Sequence, residues 1–128
     1  MLIRKLGEAI PTGIEQLDDV LEGGIRPAEF GVLMGHTNVG KSMVMAMLAA
    51  AAYLGDKRVL YCTSELTIEQ VIKRVAAAIF KQPIAKLTDP ELYMRVLKEI
   101  RGQAGLDRAG LLVSEMPTTL SDLKGYLQ

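Results

Sequence analysis

Tryptophan is absent from the sequence, and aromatic residues of any kind make up only 5% of it, although 49% of the residues are hydrophobic. A core must therefore be built from aliphatic side chains and methionine. The length of 128 residues fits one domain. A domain near this size buries roughly two thirds of the surface that its unfolded chain exposes. We expect a single domain over residues 1–128 with an aliphatic core.

An excess of charge of either sign is also missing. The chain has 15 basic and 15 acidic residues, so its net charge gives no indication of binding to nucleic acid or membrane. A zero net charge does not exclude a local basic patch. The longest apolar run, Met43 to Leu54, is too short to span a bilayer. Lys41 and the charged residues 56–58 flank it. We expect a buried helix there and no membrane contact.

Cysteine is nearly absent, since Cys62 is the only one. A disulfide within the chain is excluded, and no cluster of histidine and cysteine suggests a zinc site. This usage fits a reducing, cytoplasmic compartment. No apolar stretch of signal-peptide length follows Arg4 and Lys5.

The elements that are present alternate between strands and helices. Short apolar runs predict strands, and helical spacing with capping residues predicts helices. The strands are expected at Phe30–Met34, Arg58–Thr63 and Leu111–Ser114. A first helix is expected to begin at Thr12, with Thr12 and Glu15 as a capping box, and to stop at Gly23-Gly24. Two further helices are expected from Lys41 to Leu54 and from Thr67, capped with Gln70, to about Lys81. A fourth should run from Asp89-Pro90 to about Gln103, and after a loop over 105–110 and the third strand, a last helix should begin at Thr119 or Ser121.

This order indicates an α/β fold. Crossover helices between strands imply a mainly parallel sheet with helices on both faces. Ligands of such sheets bind at the carboxyl ends of the strands. Met34, Met43, Met45 and Met47 lie in or beside the central elements and are expected to fill the core.

One loop carries the chemistry. It matches the phosphate-loop (Walker A) pattern G-x-x-x-x-G-K-[ST] between a predicted strand and a predicted helix. Glycines let the backbone approach a phosphate, the loop N–H groups form an anion nest, and the helix adds its positive end. Lys41 would neutralise the β- and γ-phosphates, and Ser42 would place its hydroxyl on Mg²⁺. The predicted nucleotide-binding residues are Gly35, His36, Thr37, Asn38, Val39, Gly40, Lys41 and Ser42.

A second candidate is Glu65, just past the end of the second predicted strand. A carboxylate at this edge could orient and deprotonate an attacking water. The alternative is an acidic residue favoured by the dipole of the next helix, and position alone leaves both open. Arg74, on that helix, is interpreted as a surface arginine, and His36 is assigned no chemistry of its own.

These residues resemble a known family. The stretch from Ile10 to Ile14 is similar to the ATPase core of the RecA/DnaB superfamily. So are the residues that follow it in order, namely Leu17-Asp18, Gly23-Gly24, Glu29 and the phosphate loop. The segment 58–67, followed by Gln70 and Arg74, and the stretch 111–127 are similar to DnaB-type, phage-like replicative helicases. The resemblance covers almost the whole chain.

The resemblance implies a three-layer RecA-like P-loop core, ATP with Mg²⁺ as the cofactors, and Glu65 and Lys41 as catalytic residues. It further implies a homo-oligomeric ring, usually a hexamer, that binds single-stranded DNA and couples ATP hydrolysis to movement. A RecA, RadA or KaiC-type ATPase remains an alternative. So does a nucleotide-binding module that joins a larger ring without hydrolysing ATP.

The family's core is longer than this chain. The strand that ends in the Mg²⁺-side aspartate has no clear counterpart, and Leu111–Glu115, the nearest imitation, is interpreted as a structural strand. We therefore expect the chain to be the N-terminal part of a RecA-like domain, incomplete at its C-terminus.

Overall fold

The structure is a computed structural model that describes residues 7–102 and 110–116 and, singly, Thr119, Ser121, Lys124 and Gly125. Helices and strands alternate along these residues. In chain order the elements are α1 (Glu15–Val20), α2 (Lys41–Leu54), β1 (Val59–Thr63), α3 (Ile68–Phe80), a 3-10 helix (Ile84–Thr88), α4 (Pro90–Gly102) and β2 (Leu111–Glu115).

The two strands form a parallel pair. Val59 lies opposite Leu111, and the register continues to Thr63 opposite Glu115. Parallel neighbours need a crossover connection, which α3, the 3-10 helix and α4 supply here. The predicted α/β class and the parallel pairing are confirmed.

The core lies where α2 and α3 pack on this sheet. Ala46, Ala49 and Ala50 of α2 meet Val71 and Val75 of α3, and Val75 is 0% exposed. The small alanines let the two helices approach closely. Alternate strand residues complete the cluster from the sheet, namely Val59, Tyr61, Leu111 and Val113.

Two of the helix starts that the sequence marks with local signals are confirmed, those of α3 and α4. The Thr67 hydroxyl accepts a hydrogen bond from the Gln70 N–H, and the Gln70 side chain accepts one from the Thr67 N–H. This reciprocal capping box fixes the start of α3. Asp89 caps α4 by accepting from the Glu91 N–H at 3.0 Å, and Pro90 is the first residue of α4.

The predicted capping box at Thr12 is wrong. Helix α1 begins at Glu15, and its N-cap, Ile14, makes no side-chain capping bond. The Thr12 hydroxyl instead donates to the carboxylate of Asp18 at 2.6 Å, and the Thr12 N–H donates to the same oxygen at 2.7 Å. The Thr12 hydroxyl oxygen accepts from the Ile14 N–H at 3.2 Å. Since Ile14 is itself the N-cap of α1, this bond lies before the helix and is not the predicted reciprocal cap.

The turn after α1 depends on Gly24. Residues Ile10 and Ile25 form an isolated antiparallel bridge with two backbone hydrogen bonds. Gly24 has φ +123°, and a Cβ there would lie 2.1 Å from the carbonyl oxygen of Ile10. Only glycine can bring the backbone this close.

The predicted buried strand Phe30–Met34 is also wrong for the described chain. These residues have no strand assignment, and Phe30 is 90% exposed and Met34 85% exposed. A strand needs a neighbour for its backbone groups, and no described strand pairs with this segment. The methionines expected in the core are exposed as well, with Met43 at 36%, Met45 at 44% and Met47 at 40%.

Some expectations fall outside the described residues. They are the end of the fourth helix at Gln103, the loop over 105–110 apart from Gly110, and most of the last helix from Thr119 or Ser121. Within the part that is described, no helix combines the length and the apolarity needed to cross a bilayer.

Candidate nucleotide-binding site

The loop from Gly35 to Gly40 leads directly into α2. Asn38 and Gly40 have positive φ values of 62° and 96°, so the chain turns sharply before the helix. Gly40 is the N-cap, and no side chain caps α2. The N–H groups of Lys41 and Ser42 have no acceptor among the described residues. A helix start with free donors and a positive dipole end is suited to binding an anion.

The Lys41 side chain folds back over the loop. Its ammonium donates to the carbonyl oxygens of Gly35 at 2.7 Å and of His36 at 2.6 Å. Both contacts hold the ammonium against the loop backbone. An ammonium has three donors, so one remains for a further acceptor.

A cavity of about 410 Å³ opens beside the loop. Its walls bring several of the phosphate-loop residues together with Glu65. Gly35, His36 and Val39 complete the loop without lining the cavity. The lining residues are Thr37, Asn38, Gly40, Lys41, Ser42, Met43, Glu65, Leu66 and Arg74.

Glu65 is held by the turn that follows β1. The buried Thr63 hydroxyl donates to the Leu66 carbonyl at 2.9 Å and accepts from the Leu66 N–H at 3.1 Å. These two bonds close the backbone around Ser64 and Glu65. The Glu65 side chain is exposed and makes no ion pair with another described residue. Its carboxylate is therefore available to solvent and to a ligand.

Glu115 occupies a different place. It is the last residue of β2, opposite Thr63, and lines a neighbouring cavity of about 440 Å³ that shares Glu65 but not the loop. The interpretation of Leu111–Glu115 as a structural strand agrees with its pairing to β1.

Arg74 lies in the wall of the loop cavity, where sequence reasoning did not place it. It is half-buried on α3 between the buried Val71 and Val75. Burial raises the pKa of the nearby Tyr61 hydroxyl, and the positive charge of Arg74 opposes that rise. Its spacing offered a signal, because Arg74 lies one turn after Gln70 in a helix that starts at the carboxyl edge of the sheet.

The chain is similar to proteins of DNA replication and repair. It is 28% identical over 121 residues to the DnaB-like replicative helicase of Enterobacteria phage T4. This match covers 91% of the chain and 25% of the helicase. It is 39% identical over 61 residues to the DNA repair protein RadA of Mycobacterium tuberculosis, and 33% identical over 61 residues to that of Listeria monocytogenes. Each RadA match covers 48% of the chain and 13% of the relative.

The chain thus spans about an eighth to a quarter of the length of these relatives. No solved structure matches it. The DnaB-like helicase C terminal domain family matches residues 9–125, which includes the loop, Glu65, Arg74 and both strands. This family has a RecA-like α/β fold, and the parallel strands and packed helices described above agree with that fold. The chain belongs to the DnaB-like helicase C-terminal domain family.

Proposed function

We propose that this chain binds ATP with Mg²⁺ through residues 35–42. As part of a longer protein, it would couple ATP hydrolysis to movement along single-stranded DNA. The observation that carries the proposal is the cavity that unites Lys41 and Ser42 with Glu65. A phosphate loop and a carboxylate across one cavity are the parts that phosphoryl transfer to water requires.

The residues present fit a magnesium nucleotide. The free N–H groups of Lys41 and Ser42 point from an uncapped helix start, where phosphate oxygens are favoured. Lys41 would release one of its two loop carbonyls and donate to the β- and γ-phosphates. The Ser42 hydroxyl would be the protein ligand of the metal, which, when bound, would neutralise phosphate charge.

Glu65 would act on water. Its side chain is exposed and lines the same cavity as the loop, and the Thr63 turn holds its backbone. A carboxylate placed there can accept the proton of a water that attacks the terminal phosphorus. Lys41 would stabilise the negative charge that develops on the phosphate oxygens.

The family and the relatives support the remaining parts of the proposal. We infer a homo-oligomeric ring, with a hexamer as the expected size, acting in the cytoplasm on single-stranded DNA. We infer further that the chain is the N-terminal part of a RecA-like ATPase domain. The isolated chain should then bind ATP weakly and hydrolyse it slowly.

A RadA-type ATPase is the second candidate, favoured by the higher identity of 39% within a stretch of 61 residues. The match to the phage T4 helicase extends over 121 residues, and this greater coverage favours the helicase type. A module that binds ATP without hydrolysing it is the third candidate, and turnover distinguishes it from the other two.

The test is a calorimetric titration of Mg²⁺-ATP into the purified chain, with phosphate release followed in the same samples. Lys41→Ala should weaken binding by roughly 10- to 100-fold, because a charge-assisted phosphate contact is lost. Lys86→Ala, which removes an exposed lysine from the 3-10 helix, is the matched control and should bind like the wild type.

Glu65→Gln should retain ATP binding and lose phosphate release, whereas Glu115→Gln, in the neighbouring cavity, should lose neither. Wild-type affinity in Lys41→Ala would contradict the proposed binding loop. Phosphate release by Glu65→Gln at the wild-type rate would contradict the role of Glu65. Binding that depends on Lys41, without any turnover, would favour the non-hydrolysing module.

A further inference from the structure

We propose that Arg74 is a second cationic contact for the terminal phosphate, supplied by the same chain as the phosphate loop. This inference rests on the proposed function and extends it to a residue outside the loop pattern. Arg74 would make the site discriminate a nucleoside triphosphate from a diphosphate.

The fold directs Arg74 toward the cavity. On α3, Val71 and Val75 are 1% and 0% exposed, and Arg74 lies between them in sequence and is half-buried. Helix α3 is anchored at its start by the Thr67 capping box. The arginine side chain therefore extends from a fixed helix into the wall of the cavity that contains Lys41, Ser42 and Glu65.

The adjacent residue on this helix, Lys73, has both an anionic partner and an aromatic one, in contrast to Arg74. Lys73 Nζ lies 2.7 Å from the carboxylate of Glu69 and 5.3 Å from the centre of the Tyr93 ring. Arg74 forms no hydrogen bond and no ion pair with any described residue, although Glu65 lines the same cavity. A half-buried cation without an anionic partner has lost part of its hydration, so an anion in the cavity would be favoured.

The position of Arg74 selects the last phosphate. The loop N–H groups and Lys41 would hold the phosphates at the start of α2. Arg74, from α3, lines the same cavity as Glu65, which lies in the β1–α3 connection. If Glu65 positions the attacking water, the terminal phosphate is the one that lies beside Glu65, and Arg74 would then contact that phosphate. A guanidinium is planar and can donate two parallel hydrogen bonds to phosphate oxygens.

The experiment compares a fluorescent ATP analogue with the matching ADP analogue, each titrated with Mg²⁺ into the purified chain. Arg74→Gln should weaken ATP binding roughly tenfold or more and ADP binding by less than about twofold. Arg74→Lys should recover part of the preference for ATP, because it retains the charge but not the bidentate geometry. Lys73→Gln, which removes a cation from the adjacent position, should keep the wild-type ratio.

The ratio of the two affinities is a readout that a merely structural defect would not move, since local unfolding weakens both nucleotides. A ratio of ATP affinity to ADP affinity that is the same in Arg74→Gln as in the wild type, whether or not both affinities fall, would overturn the inference and leave the proposed binding loop standing. If the wild-type chain bound neither analogue, or if Lys41→Ala bound both at the wild-type affinity, the proposed function would fail and the inference with it.

Discussion

At the scale of single residues, the carboxylate of Asp18 holds the segment before α1. It accepts hydrogen bonds from the Thr12 hydroxyl, the Thr12 N–H and, at 3.2 Å, the Gly13 N–H. The Thr12 hydroxyl, then its N–H, and more weakly the Gly13 N–H lower the pKa of Asp18 below its ordinary value of 3.8, against a smaller opposing effect of burial. These donors stabilise the charged form, so the cluster depends on an ionised carboxylate.

We expect Asp18→Asn to lower the thermal unfolding midpoint at neutral pH, because the amide is a weaker acceptor than the carboxylate. The folded pKa of Asp18 lies below the unfolded one, so its contribution is present above about pH 3.8 and is lost as the pH falls through the folded pKa. The measurement is the unfolding midpoint of both proteins from pH 7 down to pH 3. The difference between them should shrink only at the acid end.

Asp19→Asn is the matched control, since the side chain of the adjacent Asp19 forms no hydrogen bond or ion pair with a described residue. It should unfold like the wild type over the whole pH range. A difference between Asp18→Asn and the wild type that stays constant down to pH 3 would show that the cluster does not depend on the charge of Asp18.

At the scale of elements, the sequence predicts what is encoded locally. The start of α3 follows from Thr67 and Gln70, three residues apart, and the start of α4 from Asp89 and Pro90, because each signal lies within one helical turn. At Thr12 the same kind of signal fails, since hydrogen bonds to Asp18, six residues away, hold Thr12 in the segment before α1, which begins only at Glu15.

Non-local features are where prediction fails. Phe30–Met34 has the composition of a strand, but a strand forms only beside a partner that composition cannot supply. The place of Glu65 could be predicted because the carboxyl ends of parallel strands share one edge with the loop. Arg74 could not be assigned in the same way, since its contact with the cavity depends on how α3 packs on α2.

The contrast between the packed helix α3 and the exposed segment 30–34 predicts unequal losses of stability for the same Val→Ala substitution. Val75→Ala removes two methyl groups from a fully buried site on α3 and should lower the free energy of unfolding by roughly 2–3 kcal/mol. Val32→Ala removes the same groups from a residue that is 68% exposed and should change it by less than about 0.5 kcal/mol. Urea denaturation of the two variants measures both values. A loss at Val32 as large as the loss at Val75 would mean that residues 30–34 are packed in the folded chain in solution.

At the scale of the whole molecule, apolar exposure and zero net charge act together. Phe30, Val32 and Met34 lie exposed on one segment without helix or strand. A groove of about 640 Å³ between α2 and α3 is lined by further apolar side chains, among them Met43, Met47 and Leu54. Exposed apolar surface of this extent favours association. The formal charge of +0 and the isoelectric point of about 6.6 provide no long-range repulsion near neutral pH.

We therefore expect the isolated chain to associate more strongly as its concentration rises, with the greatest tendency near pH 6.6. Light scattering after size-exclusion chromatography, at several concentrations and at pH 6.6 and pH 8.5, measures this. Net negative charge at the higher pH should reduce the average mass, because like-charged molecules repel. The double variant Phe30→Ser, Met34→Ser should reduce it at both pH values, since it removes apolar surface without changing charge. A wild-type chain that is a monomer at every concentration would contradict the expected association. A double variant that associates as strongly as the wild type would show that the exposed segment does not drive association, and a remaining effect of pH would then reflect charge repulsion alone.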